Sequence, residues 1–339
     1  MKNLETILKC LENNCHSFQG SYFIPEIWNA VKFNNYSKDP ARKGQISLNP
    51  YFFAIAIIRD YILANGSSGK DYLTTIGLQK GTAASGISQS IIYGMLPRVF
   101  TAWDHYRPGE ICPGTFLKAI CLLPYLKDLK VDLIYLLPVF ERSQKYKKGE
   151  IGSPYAIKNL YRIDPELHDN LLGDDAGEMV ETEFKAFIEA CHLLRIKVML
   201  DFTFRTVSRD NDLLREHPDW FYWIKLDKDR AFAPPTVETE PQLSLLNNRS
   251  LKNLYTCQGI REFLGRFSRS PKELDPVKWR RLLEECFETG ANLLDLIEQH
   301  YQITTAPGFS NVLNDPQPPW TDVTYLRYYF DVHKKARSY

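Results

Sequence analysis

Three residues of this 339-residue chain stand where side chains could do chemistry: Asp201, Arg205 and Tyr155. Asp201 follows directly on the apolar run Ile196-Lys197-Val198-Met199-Leu200, so its carboxylate sits where a strand runs out into a loop. Taken alone, such an Asp can cap the loop it opens. Arg205, with Thr206 beside it, offers a planar fork of donors able to tie two segments together through paired hydrogen bonds. Its plain alternative is a surface arginine. Tyr155 follows Ser153-Pro154 and combines an aromatic face with a hydroxyl, a combination that suits a sugar ring as readily as it suits core packing. His217-Pro218-Asp219-Trp220 adds a histidine and an indole ahead of Phe221, Tyr222 and Trp223, and a tryptophan in such company is expected in a core.

Other chemistries find little support. The seven cysteines are scattered, odd in number and never two residues apart, so they are expected as reduced thiols and not as a zinc site. His105, His168, His192 and His300 lack metal-ligand spacing and are expected to be structural. Gly66-Ser67-Ser68-Gly69-Lys70 resembles a phosphate loop but lacks the full spacing and the strand-to-helix setting.

The elements that must position these residues follow from hydrophobic patterning. Ile91 to Leu96 and Val131 to Val139 are apolar at both parities, which predicts strands buried on two faces, as in a parallel sheet. Between them Phe116, Ile120, Leu123 and Leu126 recur at helical spacing, with Pro124 expected to kink or split the helix. Phe184, Phe187, Ile188, Cys191 and Leu194 form one helical stripe, with Glu183, Lys185 and Glu189 outside it, and this helix feeds the strand ending at Asp201. Strand, helix, strand, helix, strand is the alternation of an α/β fold with parallel strands. A helix from Pro50 to Ala64 is predicted upstream, and two more downstream, one capped at Asp275-Pro276 and one from Asn292 to His300.

Composition sets the frame. Lys and Arg number 42 against 41 Asp and Glu, a net charge of +1, so no global field favours nucleic acid, an anionic membrane or an acidic ligand. The apolar run Tyr51 to Ile58 ends at Arg59-Asp60, short of the roughly 20 residues a spanning helix needs. The N-terminus lacks the pattern of a signal peptide, so a cytoplasmic protein is expected, with the Asn65 and Asn248 sequons as chance matches.

Leu200-Asp201-Phe202-Thr203-Phe204-Arg205-Thr206, after a helix reading EFKAFIEACHLLRIKV, resembles the first conserved region of the alpha-amylase clan, glycoside hydrolase family thirteen. VDLIYLLPV followed by GSPYAIKNLYRIDPEL is similar to an upstream strand of that clan and to the stretch that places a Tyr at the floor of its sugar site. HPDWFYWIK and NDPQPPW resemble its maltosyltransferase branch. The likeness runs from about Ile91 to about Phe330.

The resemblance implies a partial (β/α)8 barrel made of its first three βα units. It divides the chain into an N-terminal satellite segment over 1–89, barrel strands over 90–207 and a B-domain-like excursion over 208–339. It implies substrate-binding roles for Tyr155, Asp201, Arg205 and Thr206, an alpha-glucan or maltooligosaccharide as partner, and no cofactor or metal. The clan's nucleophile lies in a Gly-x-Arg-x-Asp pattern, and no Asp after Arg205 has an Arg two positions before it; Asp210, Asp219, Asp275, Asp315, Asp322 and Asp331 all fail. The expected activity is retaining maltosyl transfer between alpha-1,4-glucans, with this chain inactive alone and completed by a C-terminal half or by oligomerisation. The alternatives are an amylase-type hydrolase and a non-catalytic glucan-binding or scaffold remnant. Two departures stand out. The clan's Asn-His pair is Arg205-Thr206, and its glycines at the helix-to-strand turns are Lys130 and Arg195, each expected to cost on the order of 1 kcal/mol if the turns keep a left-handed conformation.

Overall fold

The computed structural model describes residues 1–66, 89–229, 232–235, 257–310, 316–327, 329–332 and 335–338. Asn248 and all but the first glycine of Gly66-Ser67-Ser68-Gly69-Lys70 lie outside them, as do Asn314 and Asp315 of NDPQPPW. The chain forms two compact units, one of Met1–Val139 with Ile163–Phe202, the other of Phe140–Arg162 with Thr203–Tyr339.

The first unit is organised by a three-stranded parallel sheet of Ile92–Met95, Leu133–Leu136 and Lys197–Leu200, with Leu133–Leu136 in the middle. The register sets Tyr93 beside Ile134 and Ile134 beside Val198, then Met95 beside Leu136 and Leu136 beside Leu200. These six side chains share one face and belong to the main core. The other face carries Ile92, Leu133, Tyr135 and Met199, and here the expectation of burial on both faces is corrected in part: Leu133 is buried, but Ile92 is 50% exposed and Met199 39%. A parallel sheet is buried twice only when both faces are covered, and the helices described here pack on one.

Pro124 does split the first crossover, into helices Phe116–Cys121 and Leu123–Asp128. The second crossover is the helix Met179–Leu193. Both turns into the following strand are left-handed, with φ 58° at Lys130 and 59° at Arg195. The N-terminal helix Lys2–Asn14 buries Leu4, Ile7, Leu8 and Leu11 and packs along Met179–Leu193. Their ends are pinned where Glu189 accepts from the Leu4 backbone N–H at 2.8 Å and from the Asn3 amide at 2.7 Å. The predicted helix from Pro50 begins as an α-helix, Pro50–Ile55, capped by Asn49, and then widens into π-helical turns over Ala56–Leu63.

Glu183 corrects the stripe assigned to Met179–Leu193, because it lies fully buried instead of outside it. Its carboxylate meets His168 Nδ1 at 2.5 Å and accepts from the Asp169 backbone N–H at 3.2 Å. The second His168 nitrogen meets the Gly173 carbonyl at 2.8 Å, and Asp169 accepts from the Thr115 hydroxyl at 2.6 Å. A buried ionisable group is tolerated when such partners are supplied, and helical periodicity cannot reveal them. His168 is thus a structural histidine.

In the second unit, Thr206–Ser208 pairs antiparallel with Val323–Tyr325, and Trp223–Lys225 lies between Phe267–Ser268 and Ile303–Thr305. The helices Pro276–Thr289 and Leu293–Tyr301 start where predicted, capped by Asp275 and Asn292. Trp279, Leu282, Leu294, Ile297, Phe221 and Trp223 build its core. Trp220 departs from the core expectation: it is 37% exposed and stacks on His217 with centroids 3.9 Å apart. Phe140–Arg142 and Ile157–Ile163 form a separate two-stranded sheet. Among the described residues no helix is long and apolar enough to cross a membrane.

Candidate functional site

Asp201 stands at the C-terminal tip of the third parallel strand, its backbone N–H bonded to the Leu136 carbonyl at 2.8 Å. Its carboxylate accepts a hydrogen bond from the hydroxyl of Tyr135, on the middle strand. That bond raises the tyrosine's pKa, since losing the phenolic proton would set two anions against each other. Tyr135 is a partner that patterning passed over. The available signal was a lone hydroxyl within an otherwise aliphatic strand.

Arg205 and Thr206 lie near the start of the Thr203–Tyr339 segment of the second unit. Thr206 faces Tyr325 across the antiparallel pair, and the Arg205 carbonyl accepts from the Leu326 N–H at 2.7 Å. The guanidinium of Arg205 lies over the Tyr325 ring, 4.8 Å from its centroid, a cation–π arrangement. Tyr325 is fixed in turn by its hydroxyl, which donates to the Phe309 carbonyl at 2.7 Å. Tyr155 stands apart from these residues in sequence, on a turn before Ile157–Ile163, 36% exposed, with its backbone N–H bonded to the Ser153 hydroxyl at 3.2 Å.

Arg205 also lines a cleft of about 520 Å³ within the second unit. Tyr222, Phe263, Phe267, Phe309 and Tyr325 form much of its wall, with Arg269, Arg327 and Glu273 among its charged members. Single-sequence patterning missed this site because its residues come from five separate stretches of the chain. Its one visible trace was the density of aromatics after His217.

Close by in sequence, Arg209 is a structural cation. It is buried, donates to the Thr305 carbonyl at 2.8 Å and to the Thr304 hydroxyl at 3.0 Å, and pairs with Asp229 at 2.8 Å. Among the described residues no three His, Cys, Asp or Glu side chains gather to hold a metal ion.

Residues 96–251 match the alpha-amylase catalytic domain. A protein of Cereibacter sphaeroides named alpha-1,4-glucan:maltose-1-phosphate maltosyltransferase is 33% identical over 139 residues, which are 37% of this chain and 22% of that protein. A protein of the same name from Mycolicibacterium smegmatis is 30% identical over 139 residues, 38% of this chain and 18% of its own length. The chain thus spans about a fifth of the length of the curated relatives it matches. Among solved structures, an alpha-amylase from Lactobacillus plantarum is 31% identical, covering 44% of this chain and 29% of that one, with a TM-score of 0.32. The catalytic-domain match goes with a (β/α)8-type fold, and the described residues close no barrel. With alpha-amylase catalytic-domain sequence over 96–251 and maltosyltransferases among its relatives, the chain is related to the alpha-amylase family.

Proposed function

We propose that this chain is the N-terminal part of an alpha-1,4-glucan-active enzyme that transfers maltosyl units with retention of configuration. The observation that carries this reading is the similarity over 139 residues to a protein named alpha-1,4-glucan:maltose-1-phosphate maltosyltransferase. In the reaction a carboxylate attacks the anomeric carbon as the bond to the leaving oxygen breaks. The covalent glycosyl intermediate is then opened by an acceptor hydroxyl, whose proton passes to the group that served as acid. Asp201 takes the role of a positioning carboxylate at a strand tip, Tyr155 stacks under a glucosyl ring, and Arg205 and Thr206 line the approach.

The nucleophile and the acid belong, in this proposal, to polypeptide other than these 339 residues, since no Asp after Arg205 sits in an Arg-x-Asp pattern. The first three strands of a barrel would leave an uncovered interior face, and the exposure of Ile92 and Met199 beside Tyr135 supports that placement. The proposed cellular setting is the cytoplasm, and the proposed macromolecular partner is a complementing C-terminal half.

The test has two steps. Coding sequence beyond Tyr339 is read for an in-frame Gly-x-Arg-x-Asp, and the complete product is then incubated with maltose-1-phosphate and maltotetraose. Chains lengthened by maltosyl steps, with phosphate released in equal amount, support transfer. Shortened chains alone assign hydrolysis, and glucan binding without turnover assigns a non-catalytic module.

A further inference from the structure

The helix Pro276–Thr289 turns Trp279, Leu282 and Cys286 into the core of the second unit and leaves its opposite side uncovered. Val277, Arg280, Arg281, Glu284, Phe287 and Glu288 recur at i, i+3, i+4, i+7, i+10 and i+11, the spacing of one helix face, and all six are exposed. Phe287, near one end of this stripe, is 83% exposed, and Val277, at the other, 52%. A single apolar residue in solvent needs no explanation. The charges set between these two do.

Arg280 and Arg281 occupy the N-terminal half of the helix, Glu284 and Glu288 the C-terminal half. The helix macrodipole favours the reverse order, yet the first turn holds no acid and the last turn no base. Arg280 and Glu284 stand four residues apart with the cation on the N-terminal side, the less favourable sense for such a pair within one helix. Among the described residues none of these four side chains makes an ion pair or a hydrogen bond. The stability of the helix by itself therefore does not account for the pattern.

Two such helices laid antiparallel do account for it. In a two-fold pair each residue meets the one that mirrors it about the axis. With the axis at the level of Leu282, Val277 lies five residues before it and Phe287 five after, while Arg280 lies two before and Glu284 two after. One register thus sets ring against aliphatic side chain and guanidinium against carboxylate, each of them twice. A parallel pair would instead set Arg280 beside Arg280 and Glu284 beside Glu284. The charges fix orientation and register, and Phe287 with Val277 supplies apolar burial. The helix has 14 residues, about 21 Å at about 1.5 Å per residue, so this contact falls short of the roughly 1,200 Å² of a stable interface. The association it supports is weak.

We propose that the exposed stripe of the helix Pro276–Thr289 is a docking surface for a second copy of this chain, packed antiparallel on the same stripe with Val277 against Phe287 and Arg280 against Glu284. This pairing is independent of the proposed maltosyl transfer.

The experiment is sedimentation equilibrium of the full 339-residue chain over a concentration series. The average mass is expected to rise towards twice that of the monomer, with a dissociation constant on the order of 10 to 100 µM that weakens as salt rises. Glu284→Arg, which sets guanidiniums against guanidiniums, and Phe287→Ser, which removes the ring, are each expected to weaken dimerisation at least about tenfold. Combining Glu284→Arg with Arg280→Glu exchanges the two charges and is expected to recover at least about threefold of that loss. All these positions are exposed, so urea midpoints equal to the parent's exclude unfolding as the cause. A chain that stays monomeric up to about 300 µM overturns the proposal. So does a double variant that associates no more tightly than Glu284→Arg alone. Association that survives both Phe287→Ser and Glu284→Arg overturns it too, and its loss with Met199→Glu then assigns the contact to the uncovered face of the parallel sheet. Each of these outcomes leaves maltosyl transfer by the complete enzyme intact, because that reading is decided by product length.

Discussion

The hydroxyl of Tyr135 donates to the carboxylate of Asp201, joining the tips of the second and third parallel strands. The bond raises the tyrosine's pKa above its ordinary 10, so the protonated phenol is the form favoured by folding. Its stabilising contribution is complete below pH 10 and is lost as pH rises through the folded value. Asp201→Asn keeps a hydrogen-bond acceptor but removes the charge. The Tyr135 ring carbon resonance, assigned against Tyr135→Phe, is therefore expected to titrate closer to pH 10 in the variant than in the parent. An unchanged midpoint would show that the carboxylate does not hold the phenol.

Lys130 and Arg195 carry β-carbons into left-handed turns, φ 58° and 59°. Lys130→Gly is expected to stabilise the protein by about 0.5 to 1 kcal/mol, less the extra freedom glycine gains on unfolding. Lys130→Ala retains the β-carbon and is expected to give no such gain. Urea midpoints measured on both variants separate relief of the backbone from loss of the side chain; equal effects would refute the argument.

These two turns also mark how far the sequence could be read. Their positions followed from where a helix stripe ends and an apolar run begins, and their handedness from the family resemblance. Pro124, Asp275 and Asn292 were legible for a similar reason, since proline and capping residues act within a turn of their own position. What depends on partners distant in sequence was not legible. Glu183 reads as a solvent-side helical residue until His168, 15 residues away, supplies its hydrogen bond. The cleft draws Arg205, Tyr222, Phe263 and Tyr325 from separate stretches, so no periodicity could gather them. The two-faced burial expected of the strands failed because apolar runs record what a strand can be covered by, and cover on one side is not supplied by the described residues.

The buried pair of His168 and Glu183 predicts a pH dependence of stability. Burial pushes Glu183 up to about 7, and the bond to Glu183 raises His168. Both shifts favour retention of the shared proton in the folded state. The pair's contribution is therefore complete below the ordinary carboxylate value of 4.5 and falls as pH rises through about 7 and beyond. Glu183→Gln is expected to flatten the profile of unfolding free energy between about pH 5 and pH 8, and to cost about 1 to 3 kcal/mol at its acid end. The cost arises because the amide replaces one of the two oxygens that meet His168 and the Asp169 N–H with a nitrogen that can only donate. A variant with the parental slope would place the dependence on other groups.

Arg209 gives the sharpest stability prediction. Its guanidinium is buried beside the Tyr146 ring, 5.1 Å from the centroid, and satisfies the Thr305 carbonyl, the Thr304 hydroxyl and Asp229. Arg209→Met fills similar space but leaves the carbonyl without this donor and the carboxylate without its cation. The expected loss is about 3 to 5 kcal/mol, since removing one member of a buried ionic network strands the others. Asp229 is only partly buried, so adding Asp229→Asn should recover part of that loss, and the double variant should be more stable than the sum of the two single losses implies. Urea denaturation of the four proteins closes the cycle. Strict additivity would mean that the arginine is held by the Thr304 and Thr305 contacts alone, with no energetic coupling to the aspartate.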